Sequence, residues 1–378
     1  MNRFAPNDII HLVGDAPRYD LAESLGPNLR LSDLLDADAL QALAGLSLGY
    51  GTAEGDAGLR AQIAQAHGVR ADDVVVTAGG MQALFLIAFT LCGPSTEAVA
   101  ATPLFPLAHN ALQAVGATVR PWPLAFEAGY QPDLDALRAL LSPQTRLVSL
   151  ASPQNPSGVA IPLATLREIV ALTAEHAPQA FVLVDETYRD AAYGHQAAAT
   201  TALELGPRVV STASLSKCHG APGLRIGWAI SRDAELRKQL VTAKFNTTIA
   251  CGQIDEALAL RLLRRGDEGL AARRAELAEN LALTARWVEH ESAQVDWVRP
   301  DAGALCCVRL KPAVFDAAAV ERFHAALPAH GVRVGDGRWF GESARVFRLG
   351  FGLLPPAELA AALQALSAAL RQARQVTA

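Results

Sequence analysis

The stretch from Ala213 to Arg225 combines a hydroxyl-rich turn, a lysine at position 217 and a second cation. Strands of buried type are predicted on both sides, at 208–212 and 226–230, so a loop between them can present Lys217 into a crevice. A lysine amine among apolar neighbours and beside Arg225 should have a lowered pKa, which makes it available as a nucleophile. The alternative for this stretch alone is a surface lysine in a polar loop.

Polar side chains follow three consecutive predicted strands, each at the end of its strand. They are Asn155 after 146–150, Asp185 and Tyr188 after 181–184, and Ser214 and Lys217 after 208–212. Each has an ordinary structural interpretation, because Asn-Pro-Ser-Gly is a turn signal, an aspartate can cap a helix and a tyrosine can be core. Their recurrence at three successive strand ends favours a shared site.

A further candidate site follows the predicted strand 74–76, where a glycine turn runs into an apolar helix at 83–91. Backbone N–H groups at a helix N-terminus attract anions, so Gly80 and Met81 are candidate phosphate ligands. The dinucleotide fingerprint and the Walker A lysine are both absent, which favours a single phosphate. An ordinary strand-to-helix turn remains the alternative for this segment.

The order of elements predicts an α/β fold with a large domain, whose mostly parallel sheet is flanked by helices, and a smaller α+β domain. Strands and helices alternate up to about residue 290, which is typical of a doubly wound sheet with its site at the carboxyl ends of the strands. Strands of a more antiparallel type then follow. We expect a large domain at 46–288 and a small domain formed by 1–45 and 289–378. The other elements predicted are helices at 32–44 (with Ser32 as its cap), 55–67, 105–115, 163–176, 255–290, 317–326 and from 356, and strands at 98–101, 294–298, 304–310 and 346–351.

Composition excludes several classes of protein. The 378 residues are 51% hydrophobic and 19% charged, with a net charge of −5 and no basic stripe, so nucleic acid is not an expected partner. The five cysteines form no CxxC pair, which favours a reduced, cytoplasmic protein over a disulfide framework or a zinc site. We expect neither a signal peptide nor a membrane span.

Taken together, these motifs resemble a known family, the class I/II pyridoxal-phosphate-dependent aminotransferases of fold type I. The resemblance runs from about Leu48 to Phe351. The residues that carry it are Tyr50, Gly79-Gly80, Phe105, Asn155-Pro156-x-Gly158, Asp185-x-x-Tyr188, Ser214-x-Ser216-Lys217, Arg225 and Arg348. It implies an enzyme that moves the amino group of an amino acid to a 2-oxo acid, with pyridoxal 5′-phosphate as cofactor.

The resemblance also implies catalytic roles. Lys217 would hold the cofactor as a Schiff base and later move a proton between the substrate Cα and C4′ of the cofactor. Asp185 would pair with the pyridine nitrogen and keep the ring protonated, so that the ring draws electrons from Cα. Tyr188 and Asn155 would hydrogen-bond the phenolic oxygen, and Phe105 would stack on the ring. Lys244 is the nearest alternative to Lys217.

The remaining implied roles concern the phosphate, the substrate and the partner subunit. The phosphate would be held by the N–H groups of Gly80 and Met81 together with Ser214 and Arg225, whose forked guanidinium binds two oxygens at once. Tyr50 would reach the phosphate of a neighbouring subunit, which implies a homodimer with shared active sites. Arg348 would bind the substrate α-carboxylate. Arg345 is its rival, and strand alternation places the two on opposite faces.

Some features depart from the family pattern and leave the reaction open. The segment Leu21–Leu25 lacks the expected asparagine-proline run, and no second arginine is placed for an acidic substrate side chain. Glu23 could favour a cationic substrate, but a solvated loop glutamate is the interpretation we prefer, and His219 is interpreted as a loop residue. The same residues would serve a lyase, cyclase or oxidase, because bond choice depends on pocket geometry. A non-catalytic sensor fused to a DNA-binding domain is a third alternative, for which the segment before the fold is too short.

Overall fold

The computed structural model describes residues 3–192 and 200–375. The strands are β1 (Tyr19–Leu21), β2 (Val74–Ala78), β3 (Glu97–Thr102), β4 (Thr118–Pro123), β5 (Thr145–Ala151), β6 (Phe181–Asp185), β7 (Val209–Ser214), β8 (Ile226–Ser231), β9 (Val295–Val298), β10 (Leu305–Leu310), β11 (Val332–Asp336) and β12 (Val346–Gly350). The α-helices are α1 (Leu31–Leu34), α2 (Ala37–Ala44), α3 (Ala57–His67), α4 (Gly79–Leu91), α5 (Pro106–Ala114), α6 (Leu134–Leu140), α7 (Leu163–His176), α8 (Ala234–Phe245), α9 (Gln253–Leu263), α10 (Gly266–His290), α11 (Ala317–Ala326) and α12 (Pro356–Arg374).

The large sheet has seven strands in the order β2-β8-β7-β6-β5-β3-β4, and β8 alone among them runs antiparallel to its neighbours. Helices cover both faces of this sheet, and successive residues of a strand point to opposite faces. Val74 and Val76 pack with α3 and α9, whereas Val75 packs with α4 and α8. The predicted mostly parallel sheet flanked by helices is therefore confirmed.

The small sheet joins the two ends of the chain in the order β1-β11-β12-β10-β9. β1 pairs in parallel with β11, and the other neighbours are antiparallel. Helices α10, α11 and α12 cover this sheet with a core that includes Trp287, Phe323 and Leu363. The N-terminal segment thus contributes a strand to the C-terminal lobe. The limits at 46 and 288 stay a proposal, and α10 runs across the second of them.

Several predicted element boundaries were wrong. The single helix expected at 32–44 is two helices, and Asp36 caps the second through a hydrogen bond from the Ala39 N–H at 2.8 Å, so Ser32 is not the cap. The long helical run at 255–290 is broken between α9 and α10. Helix α4 begins at Gly79 rather than at 83, directly after β2, which places its N-terminus at the carboxyl end of the sheet. No described helix is long and apolar enough to cross a membrane.

Candidate active site

The carboxyl ends of β5, β6 and β7 lie side by side. Ala151 is in register with Asp185, and Asp185 is in register with Thr212, so the residues that follow these strands meet at one edge of the sheet. The loop after β7 carries Lys217 across this edge before β8 turns back. The predicted residues at the three strand ends are therefore brought together.

Lys217 projects from this loop toward the N-terminal segment. Its Nζ donates a hydrogen bond to Ser24 Oγ at 3.1 Å and lies 4.0 Å from Glu23 Oε2, and 24% of its side chain is exposed. Burial lowers the pKa of Lys217 to about 8, with the Glu23 carboxylate opposing the shift and the Arg348 guanidinium adding to it. The amine is thus partly neutral near physiological pH, as a nucleophile requires.

The other lysines of the sequence are poor alternatives. The chain contains four lysines, and Lys238 is exposed on α8. Lys311 Nζ bonds the Ser292 carbonyl at 2.5 Å and pairs with Asp296. Lys244 is fully buried on α8 and has no hydrogen-bond partner within the described residues. A bulky aldehyde could reach its amine only if the surrounding core opened.

Tyr188 is linked to Lys217 through Ser24. The Tyr188 hydroxyl donates to Ser24 Oγ at 2.8 Å, and the same oxygen accepts from Lys217 Nζ. Burial raises the pKa of Tyr188 well above its ordinary value, which keeps the phenol protonated and able to donate. Sequence reasoning missed Ser24, because 193 positions separate it from Lys217 and no local pattern predicts their contact.

Asp185 and Glu186 are consecutive carboxylates with different surroundings. Asp185 Oδ1 accepts hydrogen bonds from the N–H and the hydroxyl of Thr187 at 3.1 and 2.6 Å, and burial raises the pKa of Asp185. Glu186 is enclosed by hydrogen bonds from Thr201, the Ala202 N–H and Ser211. Glu186 is thus held within the fold by several donors, whereas Asp185 ends β6 at the edge of the sheet and remains a candidate for binding a ligand.

The N-terminus of α4 meets Arg225 and Ser214. Gly79 has a φ of +74°, and a Cβ built there would lie 2.3 Å from Arg225 Nη2, so the guanidinium sits directly over the glycine. A Cβ on Gly80 would lie 3.4 Å from Ser214 Cβ. The helix N-terminus, a hydroxyl and a guanidinium therefore lie together in one cluster, which suits a phosphate. Met81 occupies the first turn of the same helix.

Arg348 and Asn155 are in direct contact. Arg348 is 2% exposed, and its Nη1 donates to Asn155 Oδ1 at 2.9 Å while its Nη2 donates to the Ala22 carbonyl. Its Nε has no hydrogen-bond partner within the described residues, and burial lowers the pKa of Arg348. Arg345 instead donates to the Phe315 carbonyl at 2.5 Å, away from Asn155. Of the two, Arg348 is therefore the arginine with a donor left for a carboxylate.

The structure leaves two predicted residues less closely tied to the site. Phe105 is the N-cap of α5 and is partly buried against the core beneath α4. Tyr50 is 88% exposed, in contrast to the buried side chains of Asn155, Tyr188 and Arg348. Its proposed contact with a neighbouring subunit stays a prediction.

Glu23 differs from its sequence interpretation, whereas His219 lies in a loop as interpreted. The Glu23 side chain is only 19% exposed and faces Lys217, so the interpretation as a solvated loop glutamate was wrong. His219 does lie in a loop, but it is buried, with its Nε2 3.3 Å from Asp190 Oδ2. The departure from the family pattern at Leu21–Leu25 thus places a carboxylate and a hydroxyl inside the site.

Comparison with known proteins agrees with this geometry. The sequence profile of the family Aminotransferase class I and II matches residues 24–366. The chain is 34% identical to capreomycidine synthase of Streptomyces vinaceus, with 84% of this chain and 79% of that protein covered. It is 30% identical to arginine–pyruvate transaminase of Pseudomonas aeruginosa, with 78% and 75% covered.

Solved structures give the same result. A PLP-dependent aminotransferase from Streptococcus suis superposes with a TM-score of 0.87 at 27% identity, covering 96% of this chain and 95% of that one. The PLP-dependent cyclase OrfR superposes with a TM-score of 0.85 at 28% identity, covering 98% of both chains. The predicted resemblance is confirmed, and the chain belongs to the class I and II family of pyridoxal-phosphate-dependent aminotransferases.

Proposed function

We propose that the protein is an aminotransferase that moves the amino group of an amino acid to a 2-oxo acid through Lys217. The observation that carries this proposal is the position of the Lys217 amine, whose pKa is lowered to about 8. Around it lie the buried carboxyl of Asp185, the cluster of Gly80, Ser214 and Arg225 that suits a phosphate, and Arg348, whose Nε has no hydrogen-bond partner within the described residues. These four features match the four groups that the reaction must hold, namely an aldehyde, a ring nitrogen, a phosphate and an α-carboxylate.

The residues present fit pyridoxal 5′-phosphate. When bound, this cofactor supplies an electron sink for charge that develops on the carbon beside an amino group. Burial raises the pKa of Asp185, and a protonated ring nitrogen beside it would favour the ionised carboxylate. Arg225 and Ser214 would hold the phosphate at the start of α4, with the N–H groups of Gly80 and Met81.

The remaining roles belong to side chains around the ring. Tyr188 and Asn155 would donate to the phenolic oxygen, and Phe105 would stack on the ring face. In the structure Tyr188 donates to Ser24, and the Asn155 carbonyl oxygen accepts from Arg348, which leaves the Asn155 amide NH₂ as the donor. Asn155 would therefore connect the phenolic oxygen of the cofactor to Arg348, which would bind the substrate carboxylate.

Proton transfer is assigned to Lys217. Its amine interacts electrostatically with both Asp185 and Arg348, and the lowered pKa allows it to accept a proton and to return it near neutral pH. Arg348 would bind the substrate carboxylate and so fix the direction of the Cα–H bond. Ser24 holds the amine in place through its 3.1 Å hydrogen bond.

We also propose a homodimer, on the basis of an exposed apolar surface. The large hydrophobic side chains exposed around the Tyr50 loop and the start of α9 are Leu48, Tyr50, Phe245, Ile249 and Ile254. The loop packs on α9, since a Cβ on Gly51 would lie 2.3 Å from Gln253 Nε2. A second copy would cover this surface and bring Tyr50 to the partner's phosphate cluster.

We keep a cytoplasmic location as a proposal, in keeping with five unpaired cysteines.

A second candidate function is a cyclase or lyase that uses the same cofactor. It is favoured by the 34% identity to capreomycidine synthase and by the structural similarity to the cyclase OrfR. The Glu23 carboxylate, 4.0 Å from Lys217 Nζ, adds a second acid–base group that a reaction beyond Cα could use.

Absorbance of the purified holoenzyme decides between the two candidates. An aminotransferase mixed with an amino acid and no acceptor should convert to the pyridoxamine form, and added pyruvate should restore the original band. Arginine is the first donor to test, since one relative is named for arginine and pyruvate. Release of a cyclised or ammonia product without any 2-oxo acid would instead favour the second candidate, and no change with any amino acid would refute both.

A further inference from the structure

Glu23 is held in the site by backbone contacts. Glu23 lies two residues after the end of β1. The carbonyl of the preceding residue, Ala22, accepts a hydrogen bond from Arg348. Gly350, two residues after Arg348, makes the close approach possible, because a Cβ there would lie 1.8 Å from the Glu23 carbonyl oxygen. The position of Glu23 is therefore fixed by the same strand that carries Arg348, rather than by the conformation of a free loop.

The Glu23 carboxylate lies near two cations, Lys217 and Arg348. Its Oε2 lies 4.0 Å from Lys217 Nζ, and it acts electrostatically on both Lys217 and Arg348. Within the described residues no hydrogen-bond donor reaches this carboxylate. Lys217 donates to Ser24 and Arg348 donates to Asn155 and Ala22, so neither cation gives Glu23 a hydrogen bond. A largely buried carboxylate is stabilised by a cation that also donates hydrogen bonds to it.

We propose that Glu23 selects amino acids whose side chains carry a cation, with a guanidinium as the best match. This inference rests on the proposed function, since it places the substrate carboxylate on Arg348 and its side chain toward Glu23. A carboxylate accepts two parallel hydrogen bonds from a guanidinium, which adds geometric specificity to the attraction. An acidic side chain would meet a like charge at the same position, so aspartate and glutamate would be rejected.

A different role for Glu23 has to be separated from this one. The carboxylate could act solely on Lys217, as a positioning residue for its amine. That role would affect every substrate equally, because each reaction uses the same lysine. Substrate selection depends on the charge of the ligand's side chain, so two ligands of the same shape and different charge distinguish the roles.

The test uses the holoenzyme and two ligands that lack an amino group. The first is 5-guanidinopentanoate, which is arginine without its amine, and the second is the neutral 5-ureidopentanoate of the same length. Calorimetric titration at low salt should show the guanidino ligand binding about tenfold to a hundredfold more tightly than the ureido ligand. In Glu23→Gln this preference should be lost through weaker binding of the guanidino ligand, while the ureido ligand binds as before.

Three controls keep the test decisive. Glu23→Ala should behave like Glu23→Gln, and unfolding midpoints equal to wild type would show that both variants fold. Equal weakening of both ligands, or no preference in the wild type, would overturn the inference. Neither ligand can donate an amine, so the binding result is independent of turnover. If the proposed function is wrong, the cofactor spectrum should stay unchanged with every amino acid. That result is independent of how the two ligands bind.

Discussion

The pKa of the Lys217 amine gives the strongest quantitative prediction. The structure lowers it from 10.5 to about 8 by burial, with Glu23 opposing the shift and Arg348 adding to it. At pH 7.5 a group with a pKa of about 8 is roughly 24% neutral, whereas an unperturbed lysine is about 0.1% neutral. The difference is roughly 240-fold in the concentration of the reactive amine, at equal intrinsic nucleophilicity.

Competitive labelling of the cofactor-free enzyme measures this quantity. The enzyme is treated with a trace of an amine-reactive label across pH 6 to about 11, a range that brackets both pKa values, and the label on each lysine is read by peptide mass spectrometry. Lys217 should titrate with a midpoint near 8, while the exposed Lys238 serves as the internal reference.

Two variants test the cause of the shift. Arg348→Gln removes a cation, so the Lys217 midpoint should rise, and Glu23→Gln removes an anion, so it should fall. The sign follows because a nearby positive charge disfavours the ammonium form and a negative charge favours it. A wild-type midpoint equal to that of Lys238, a fall in the Arg348→Gln variant or a rise in the Glu23→Gln variant would refute the reasoning.

Three further substitutions test other parts of the site. Asp185→Asn should lower kcat by about a hundredfold or more without changing the unfolding midpoint, because the ring nitrogen loses its charged partner, and near-normal turnover would contradict that role. Arg348→Lys should raise KM for amino acids by about tenfold or more, since a single ammonium cannot reproduce the forked contact, and an unchanged KM would argue for another carboxylate site. Gly350→Ala should destabilise the protein by about 1–3 kcal/mol in denaturant titration, because its Cβ would lie 1.8 Å from the Glu23 carbonyl oxygen. Full stability in this variant would show that the two segments are farther apart.

The parts of the molecule that sequence reasoning predicted are those specified by local patterns. Lys217, Asp185 and Ser214 follow buried strands of recognisable composition, and parallel strands bring their carboxyl ends to one edge. The mostly parallel sheet, the helices on its two faces and the cluster of residues at the strand ends could all be predicted from this alternation of strands and helices. The roles assigned to these residues in catalysis stay predictions until the enzyme is tested.

The parts that sequence reasoning missed depend on contacts between distant segments. Glu23 and Ser24 follow β1, which pairs in parallel with β11 in the small sheet, and this pairing brings them close to Lys217. No local pattern indicates a pairing between segments so far apart in the sequence. Edge strand β4 contains Pro121 and Pro123, and the sequence analysis predicted no strand there, since proline is tolerated at an edge but is unfavourable within a strand. The break between α1 and α2 follows from capping by Asp36, which the apolar periodicity concealed.

The covalent attachment of the cofactor tests the central claim most directly. Borohydride reduction of the holoenzyme followed by trypsin should yield one pyridoxyl-modified peptide, spanning residues 209–225, with the label on Lys217 and cleavage after that lysine blocked. Lys217→Ala, reduced in parallel, should carry no label. A label on Lys244 or another amine, or an unlabelled peptide 209–217 from an enzyme that still shows the cofactor band, would contradict the account.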